Sequence, residues 1–175
     1  MLVYQINELD DKTAHEMFRK CCGSTAWYEA MASRRPFVSL QQMYELSDEI
    51  WWSLPAEEWL SAFAKHPQIG DMESLRKKFS TTGAWAAGEQ AGCSNADENV
   101  LAALAQGNQE YQKKFGYIFI VCATGKSADE MLNILRARLK NEPADELIEA
   151  AGEQAKITKL RLEKLCQEVP SQPTC

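Results

Sequence analysis

Apolar residues recur at spacings of three, four and seven along most of this chain, which is the period of an amphipathic α-helix. A clear case follows Ser39, where the spacing relates Leu40, Met43, Tyr44, Ile50 and Trp51. Capping residues precede several such runs, at Thr13 with Glu16, Ser24, Ser39, Ser94 with Asp97, and Ser127 with Glu130. The pattern predicts an all-α fold of about seven to nine helices.

Prolines and glycines mark other helix boundaries. Pro55 suits the first turn of one helix and Pro143 begins the last one. A long helix from Ser94 is expected to close at Gly116. The last helix is predicted to carry one broad apolar stripe, formed by Leu147, Ile148, Ala151, Ala155, Ile157, Leu160, Leu162 and Leu165.

One apolar run, residues 117–123, resembles a β-strand. Periodicity does not distinguish a strand from a buried extended segment. Because no second run offers it a pairing partner, we expect a solitary extended segment inside a helical core.

Length and charge limit the possible functions. The 175 residues, 45% of them hydrophobic, suffice for one domain, which we expect to span residues 1–169 with a flexible tail at 170–175. A net charge of −6 argues against a nucleic-acid partner. The longest apolar run is too short to span a membrane. No secretory or transit signal is evident, so cytoplasmic localisation is expected.

The six cysteines do not predict a metal or disulfide site. Cys21 and Cys22 are adjacent, no C-x-x-C spacing occurs, and His15 and His66 are the only histidines. Reduced thiols are therefore expected.

His66 is a candidate catalytic residue because of its place in the chain. It precedes Pro67, which disfavours helical backbone in the residue before it, so the imidazole is expected at a helix exit. Glu89 and Gln90, a carboxylate beside a carboxamide, suit a compact ligand rich in N–H and C=O groups. The alternative interpretation is structural: His66 would only cap a helix, and Glu89 and Gln90 would only be solvent-exposed surface residues.

Arg138 is also open to two interpretations. It could bind an anionic or carbonyl oxygen of a ligand. It could equally be a surface arginine paired with Asp129 or Glu142.

Taken together, the motifs resemble the family of 2-oxo-4-hydroxy-4-carboxy-5-ureidoimidazoline (OHCU) decarboxylases, which form (S)-allantoin during urate breakdown. Three motifs carry most of the resemblance: His66-Pro67-x-Ile-Gly-Asp, Glu89-Gln90-Ala-Gly, and Phe115-Gly116 leading to Phe119-Ile-Val-Cys-Ala123. Shorter matches extend it over nearly the whole chain: Cys22-Gly-Ser with Trp27, Arg35-Pro36-Phe37, Gly125-Lys126-Ser127, Arg138-Leu-x-Asn141 and Ile157-x-x-Leu-Arg-Leu162. Each short match is weak, and their joint order is specific.

The resemblance implies an all-helical, cofactor-free and usually homodimeric enzyme whose substrate is OHCU. It implies His66 as the catalytic proton donor, with Glu89 as a second candidate for proton transfer. The substrate-binding residues that it implies are Pro67, Gln90, Phe119, Ile120, Val121, Cys122, Ala123 and Arg138. Ala86 departs from the family, which commonly has serine three residues before the glutamate. The rival from another class is a non-enzymatic helical interaction module, in which His66 is only a cap.

Overall fold

The computed structural model describes residues 2–68, 70–80 and 90–167, and the side chains of residues 80 and 90–97 lie outside that description. Within these ranges the backbone forms α-helices and connecting segments, with no β-strand. The helices are α1 (Val3–Asn7), α2 (Asp11–Cys21), α3 (Thr25–Ser33), α4 (Leu40–Ser53), α5 (Ala56–Ala64), α6 (Met72–Ser80), α7 (Gln90–Phe115), α8 (Ala128–Arg138) and α9 (Pro143–Gln167). The predicted all-α fold is confirmed.

Three predicted helix starts are confirmed by their capping bonds. The side chains of Ser24 and Ser39 accept hydrogen bonds from backbone N–H groups in the first turns of α3 and α4. Ser127 and Glu130 form a reciprocal capping box at the start of α8. Local sequence therefore determines these boundaries.

Two predicted starts are wrong. The Asp10 carboxylate accepts from the Thr13 N–H at 3.0 Å, so α2 begins at Asp11 rather than near Thr13, and the short α1 before it was not predicted. Helix α7 begins at Gln90, which leaves Ser94 inside the helix. Serine and aspartate cost only a few tenths of a kcal/mol inside a helix, so a capping pattern does not by itself start one.

The described residues belong to two compact units. The first comprises Met1–Lys65 and Ala151–Cys175, and the second comprises His66–Ala150. The prediction of one domain over residues 1–169 stays a prediction, and the predicted tail lies outside the described residues.

Aromatic side chains fill the core of the first unit. Phe18 packs edge-on against Trp27 and Phe37, with ring centroids 6.2 and 6.0 Å away. The buried indoles have hydrogen-bond partners: Trp27 donates to the Ser47 carbonyl at 3.2 Å, and Trp51 donates to the Ala151 carbonyl at 2.9 Å. Their burial therefore leaves no indole N–H unsatisfied.

The core of the second unit lies where α6, α7 and α8 pack together. Its buried members are Leu75, Phe79, Leu101, Leu104, Tyr111, Met131, Leu132 and Leu135. Gly107 allows α7 and α8 to approach closely, because a Cβ at this position would lie 2.7 Å from Leu135 Cδ2. Residues 117–123 continue from α7 without helix or strand and pack partly against this core, so the predicted placement of this segment against the helical core is confirmed.

The buried face of α9 agrees only in part with its prediction. Ala151 and Leu162 of the predicted stripe are buried, but so are Glu146, Ala150, Gln154 and Thr158, which the stripe omitted. Ile148, expected inside, is 56% exposed. The apolar stripe was drawn from hydrophobicity alone, and it omitted polar residues whose burial is supported by hydrogen bonds.

None of the helices in the described part of the chain combines the length and apolar character needed to cross a bilayer.

Candidate active site

His66 and Pro67 directly follow the end of α5. The helix ends at Ala64, Lys65 caps it, and His66 occupies the bend that follows, as predicted. The imidazole is half-buried, whereas Pro67 is exposed. Both residues belong to the second unit. Their roles in catalysis and binding stay predictions.

The Glu89-Gln90 pair is only partly described. Glu89 lies outside the described residues, as do Trp85 and Ala86. Gln90 is the first residue of α7, and its side chain is not described.

The extended segment, residues 117–123, is bounded by two glycines with left-handed backbone. Gly116 has φ of +84° and Gly125 has φ of +74°, a conformation that other residues adopt at a cost. Burial alternates along its second half: Ile120 and Cys122 are buried, while Phe119 and Val121 are half-buried. The half-buried Phe119 and Val121 also pack against the core of the second unit.

Carbonyl groups of the extended segment are already hydrogen-bonded within the protein. The Ile120 carbonyl accepts from Arg138 Nη1 at 2.5 Å. The carbonyls of Cys122 and Ala123 accept from the Lys126 ammonium and backbone N–H, at 2.7 and 3.1 Å. Conversely, the backbone N–H groups of Phe119, Ile120 and Val121 make no hydrogen bond to other described residues. Towards a ligand, this part of the segment therefore offers three donors, and the Phe119 and Val121 carbonyls likewise accept no hydrogen bond from other described residues.

Arg138 is buried and paired with Glu146. The two residues are 4% and 0% exposed. Arg138 Nε and Nη2 both donate to Glu146 Oε1, at 2.7 and 2.5 Å. The alternative of a surface arginine paired with Asp129 or Glu142 is therefore wrong.

Two further side chains complete the hydrogen bonding of Glu146. The Tyr111 hydroxyl donates to Oε1, and Asn141 Nδ2 donates to Oε2 at 2.8 Å. Burial, and secondly the hydrogen bond to Glu146, raise the pKa of Tyr111 above its usual value. Tyr111 therefore remains a protonated donor throughout the physiological pH range.

Arg138 also contacts aromatic rings. Its Cζ lies 4.7 Å from the Phe119 ring centroid and 5.8 Å from that of Tyr111. Arg138 thus touches two consecutive residues of the extended segment, the ring of Phe119 and the carbonyl of Ile120. Of the predicted site residues, these three are in mutual contact.

Sequence reasoning did not identify Glu146, Tyr111 or Lys126 as site components. An acid in the first turn of a helix ordinarily interacts with the helix dipole, so Glu146 looked unremarkable. Tyr111 fitted the apolar face of α7. Lys126 appeared only within a motif of the family resemblance.

No group of histidine, cysteine or acidic side chains suited to a metal ion occurs among the described residues.

Comparison with known proteins agrees with these observations. The family model for OHCU decarboxylase matches residues 7–163. The chain belongs to the OHCU decarboxylase family. A decarboxylase of this name from Amia calva is 31% identical over 138 residues, covering 79% of this chain and 78% of that protein.

The uric acid degradation bifunctional protein TTL of Arabidopsis thaliana is 38% identical over 149 residues. The match covers 85% of this chain but 46% of that protein, so the chain spans less than half the length of this relative.

A solved OHCU decarboxylase structure, determined in the presence of (S)-allantoin, is 35% identical with a TM-score of 0.69. It covers 91% of this chain and 100% of the solved one. The fold is therefore shared with a family member of known structure.

Proposed function

We propose that this protein is a carboxy-lyase that converts OHCU to (S)-allantoin and CO₂ in urate breakdown, without a cofactor. The observation that carries the proposal is the family match over residues 7–163. No observation favours the rival interaction module.

The chemistry of the substrate explains why no cofactor is required. When the C–C bond to the carboxylate breaks, CO₂ leaves and the bonding electron pair stays on the ring carbon. The adjacent C=N bond accepts that pair: a C=C bond forms and the nitrogen takes a proton. Protonation of the ureido-bearing carbon on one face, with loss of the hydroxyl proton from its neighbour, gives allantoin of one hand. The protein must orient the substrate, exclude water and deliver a proton.

His66 is the proposed proton donor. An imidazole can exchange protons near neutral pH, and the position of His66 at a half-buried helix exit allows contact with a ligand. Pro67 would pack beside the substrate. Glu89 and Gln90 would bind the ureido and ring N–H groups, with Glu89 as the second candidate for proton transfer.

The extended segment would bind the acceptor groups of the substrate. The backbone N–H groups of Phe119, Ile120 and Val121, which make no hydrogen bond to other described residues, suit a carboxylate or ring carbonyl. Cys122 and Ala123 would form the adjoining wall. Because Glu146 compensates its charge, Arg138 would contribute a directed N–H rather than a net positive charge.

A cytoplasmic homodimer is the proposed cellular form. Among the described residues, Cys21, Cys22 and Cys166 are free thiols outside any disulfide, which supports a reducing compartment. The dimer follows from the family resemblance. Light scattering coupled to gel filtration tests it, and a mass near the 19.7 kDa of one chain would contradict it.

The activity is tested by adding purified protein to OHCU freshly generated from urate. We expect OHCU absorbance to decay faster with increasing protein, and circular dichroism to show (S)-allantoin accumulating. A decay rate that is independent of protein concentration would refute the proposal.

A further inference from the structure

A buried polar cluster in the second unit surrounds Arg138 with three residues that have no role in the chemistry described above. It consists of Arg138, Glu146, Tyr111 and Asn141, and we refer to it as the Glu146 cluster. We propose that Glu146 and Tyr111 are positioning residues: they fix the Arg138 guanidinium, which fixes the backbone of residues 119–121 for substrate binding. This inference rests on the proposed function.

The Glu146 cluster determines the direction of the guanidinium. Arginine has five N–H donors in one plane. Nε and one Nη2 hydrogen are directed to Glu146 Oε1, and the second Nη2 hydrogen reaches the Tyr111 hydroxyl at 3.3 Å. The Nη1 side faces the Ile120 carbonyl at 2.5 Å. Because the guanidinium is rigid and planar, holding its Nε and Nη2 atoms at Glu146 orients Nη1 towards the Ile120 carbonyl.

The carboxylate of Glu146 is itself held from both sides. Oε1 accepts from Arg138 and from Tyr111, while Oε2 accepts from Asn141 at 2.8 Å. The carboxylate is fully buried, so these bonds replace its contacts with water. Tyr111 and Asn141 therefore limit rotation of the carboxylate, and through it rotation of the guanidinium.

The main consequence of such a cluster is that its side chains are held in one orientation, rather than that the fold becomes more stable. A buried ion pair gains attraction but loses hydration, so apolar side chains of similar volume often replace it without loss of stability. Apolar replacements would leave the Ile120 carbonyl without its donor. Arg138 contacts the carbonyl of Ile120 and the ring of Phe119, so its displacement would move two proposed substrate-binding residues together.

The decisive variant is Tyr111→Phe, which retains the ring and the ion pair and removes only the hydroxyl. Loss of residues that orient metal ligands typically costs about 10 to 100-fold, and we expect a similar cost for residues that orient a substrate-binding arginine. We expect KM for OHCU to rise roughly 10-fold with kcat nearly unchanged, the pattern of a lost binding contribution. Amide hydrogen exchange in residues 117–123 should accelerate.

Ile6→Val serves as the matched control. Ile6 is fully buried in the first unit and lies outside the proposed site, so this variant lowers stability without touching the Glu146 cluster. Its KM and the exchange of residues 117–123 should match wild type.

A double-mutant cycle tests whether Tyr111 acts through Arg138. If it does, Tyr111→Phe should raise KM no further once Arg138→Met is present. Glu146→Gln, close in shape but uncharged, should resemble Tyr111→Phe with a larger rise in KM. If Glu146→Gln does not fold, Tyr111→Phe still decides the question.

The outcomes distinguish this inference from the proposed function. A wild-type protein that does not turn over OHCU defeats the proposed function itself. An active wild type together with a Tyr111→Phe variant whose KM and exchange match those of Ile6→Val overturns the positioning role. A KM rise in Tyr111→Phe that persists in full beside Arg138→Met also overturns it.

Discussion

Replacing Gly107 with alanine should weaken the packing of α7 against α8. An added Cβ would lie 2.7 Å from Leu135 Cδ2 and 3.3 Å from its Cγ, and Leu135 is fully buried. Overpacking of this kind costs about 1 to 3 kcal/mol, whereas the helix itself gains about 1 kcal/mol from alanine. The net expectation is a destabilisation of about 1 kcal/mol.

Gly152→Ala is the matched control for this prediction. Gly152 also lies inside a helix, but nothing occupies the space within 4 Å of its added Cβ. Only the helix gain remains, so this variant should be stabilised by roughly 0.5 to 1 kcal/mol. The two substitutions should therefore change the midpoint of urea or thermal unfolding in opposite directions.

The close approach of Gly107 to Leu135 also affects the candidate active site. Gly107 precedes Tyr111 by four residues on α7, and Leu135 precedes Arg138 by three on α8, so the close approach sets the spacing of the Glu146 cluster. In a Leu135→Ala background the steric cost disappears, and Gly107→Ala should become stabilising. Equal stabilisation by Gly107→Ala and Gly152→Ala in the wild-type background would refute the close approach.

Three further predictions concern a pH effect, thiol reactivity and a turn. Hydrogen bonds from the backbone and side chain of Ser127 lower the pKa of Glu130 in the folded protein. Ionised Glu130 therefore stabilises the fold above its ordinary pKa of about 4.3, and this stabilisation is lost as the pH falls through the lower pKa of the folded state. Glu130→Gln should therefore lower the melting temperature at pH 7 but not below about pH 3. An equal drop in melting temperature at the two pH values would contradict this. Burial raises the pKa of Cys21 to about 12 and of Cys22 to about 11, so peptide mapping should find both protected from iodoacetamide at pH 8 until the protein is unfolded; labelling in the native state would disprove it. Gly125→Ala should cost about 1 to 2 kcal/mol in urea unfolding because φ is +74° there, and an unchanged midpoint would argue against that conformation.

Sequence predicted the parts of this fold that depend on neighbouring residues. Serine caps at Ser24, Ser39 and Ser127 identified three helix starts, because a cap needs only its own first turn. The bend at His66 followed equally from the adjoining proline. The start of α7 was wrong because the same capping pattern occurs inside its long helix.

What sequence could not predict depends on contacts between distant residues. Buried Glu146 is hydrogen-bonded to Arg138 of α8 and Tyr111 of α7, and a hydrophobicity pattern cannot predict such a pairing. The polar residues Gln154 and Thr158 on the inward face of α9 were missed for the same reason. Arg138 was identified through the family resemblance, whereas its partner Glu146 was identified only in the structure.

The most direct test of the account follows the handedness of allantoin formed from fresh OHCU by wild type and by His66→Ala. Positioned acid-base catalysis contributes about 10² to 10⁴ in rate. Wild type should therefore produce an (S)-allantoin dichroism signal, and folded His66→Ala should produce it at least about 100-fold more slowly. Racemic product from wild type, or a His66→Ala rate within a few-fold of wild type, would contradict the account.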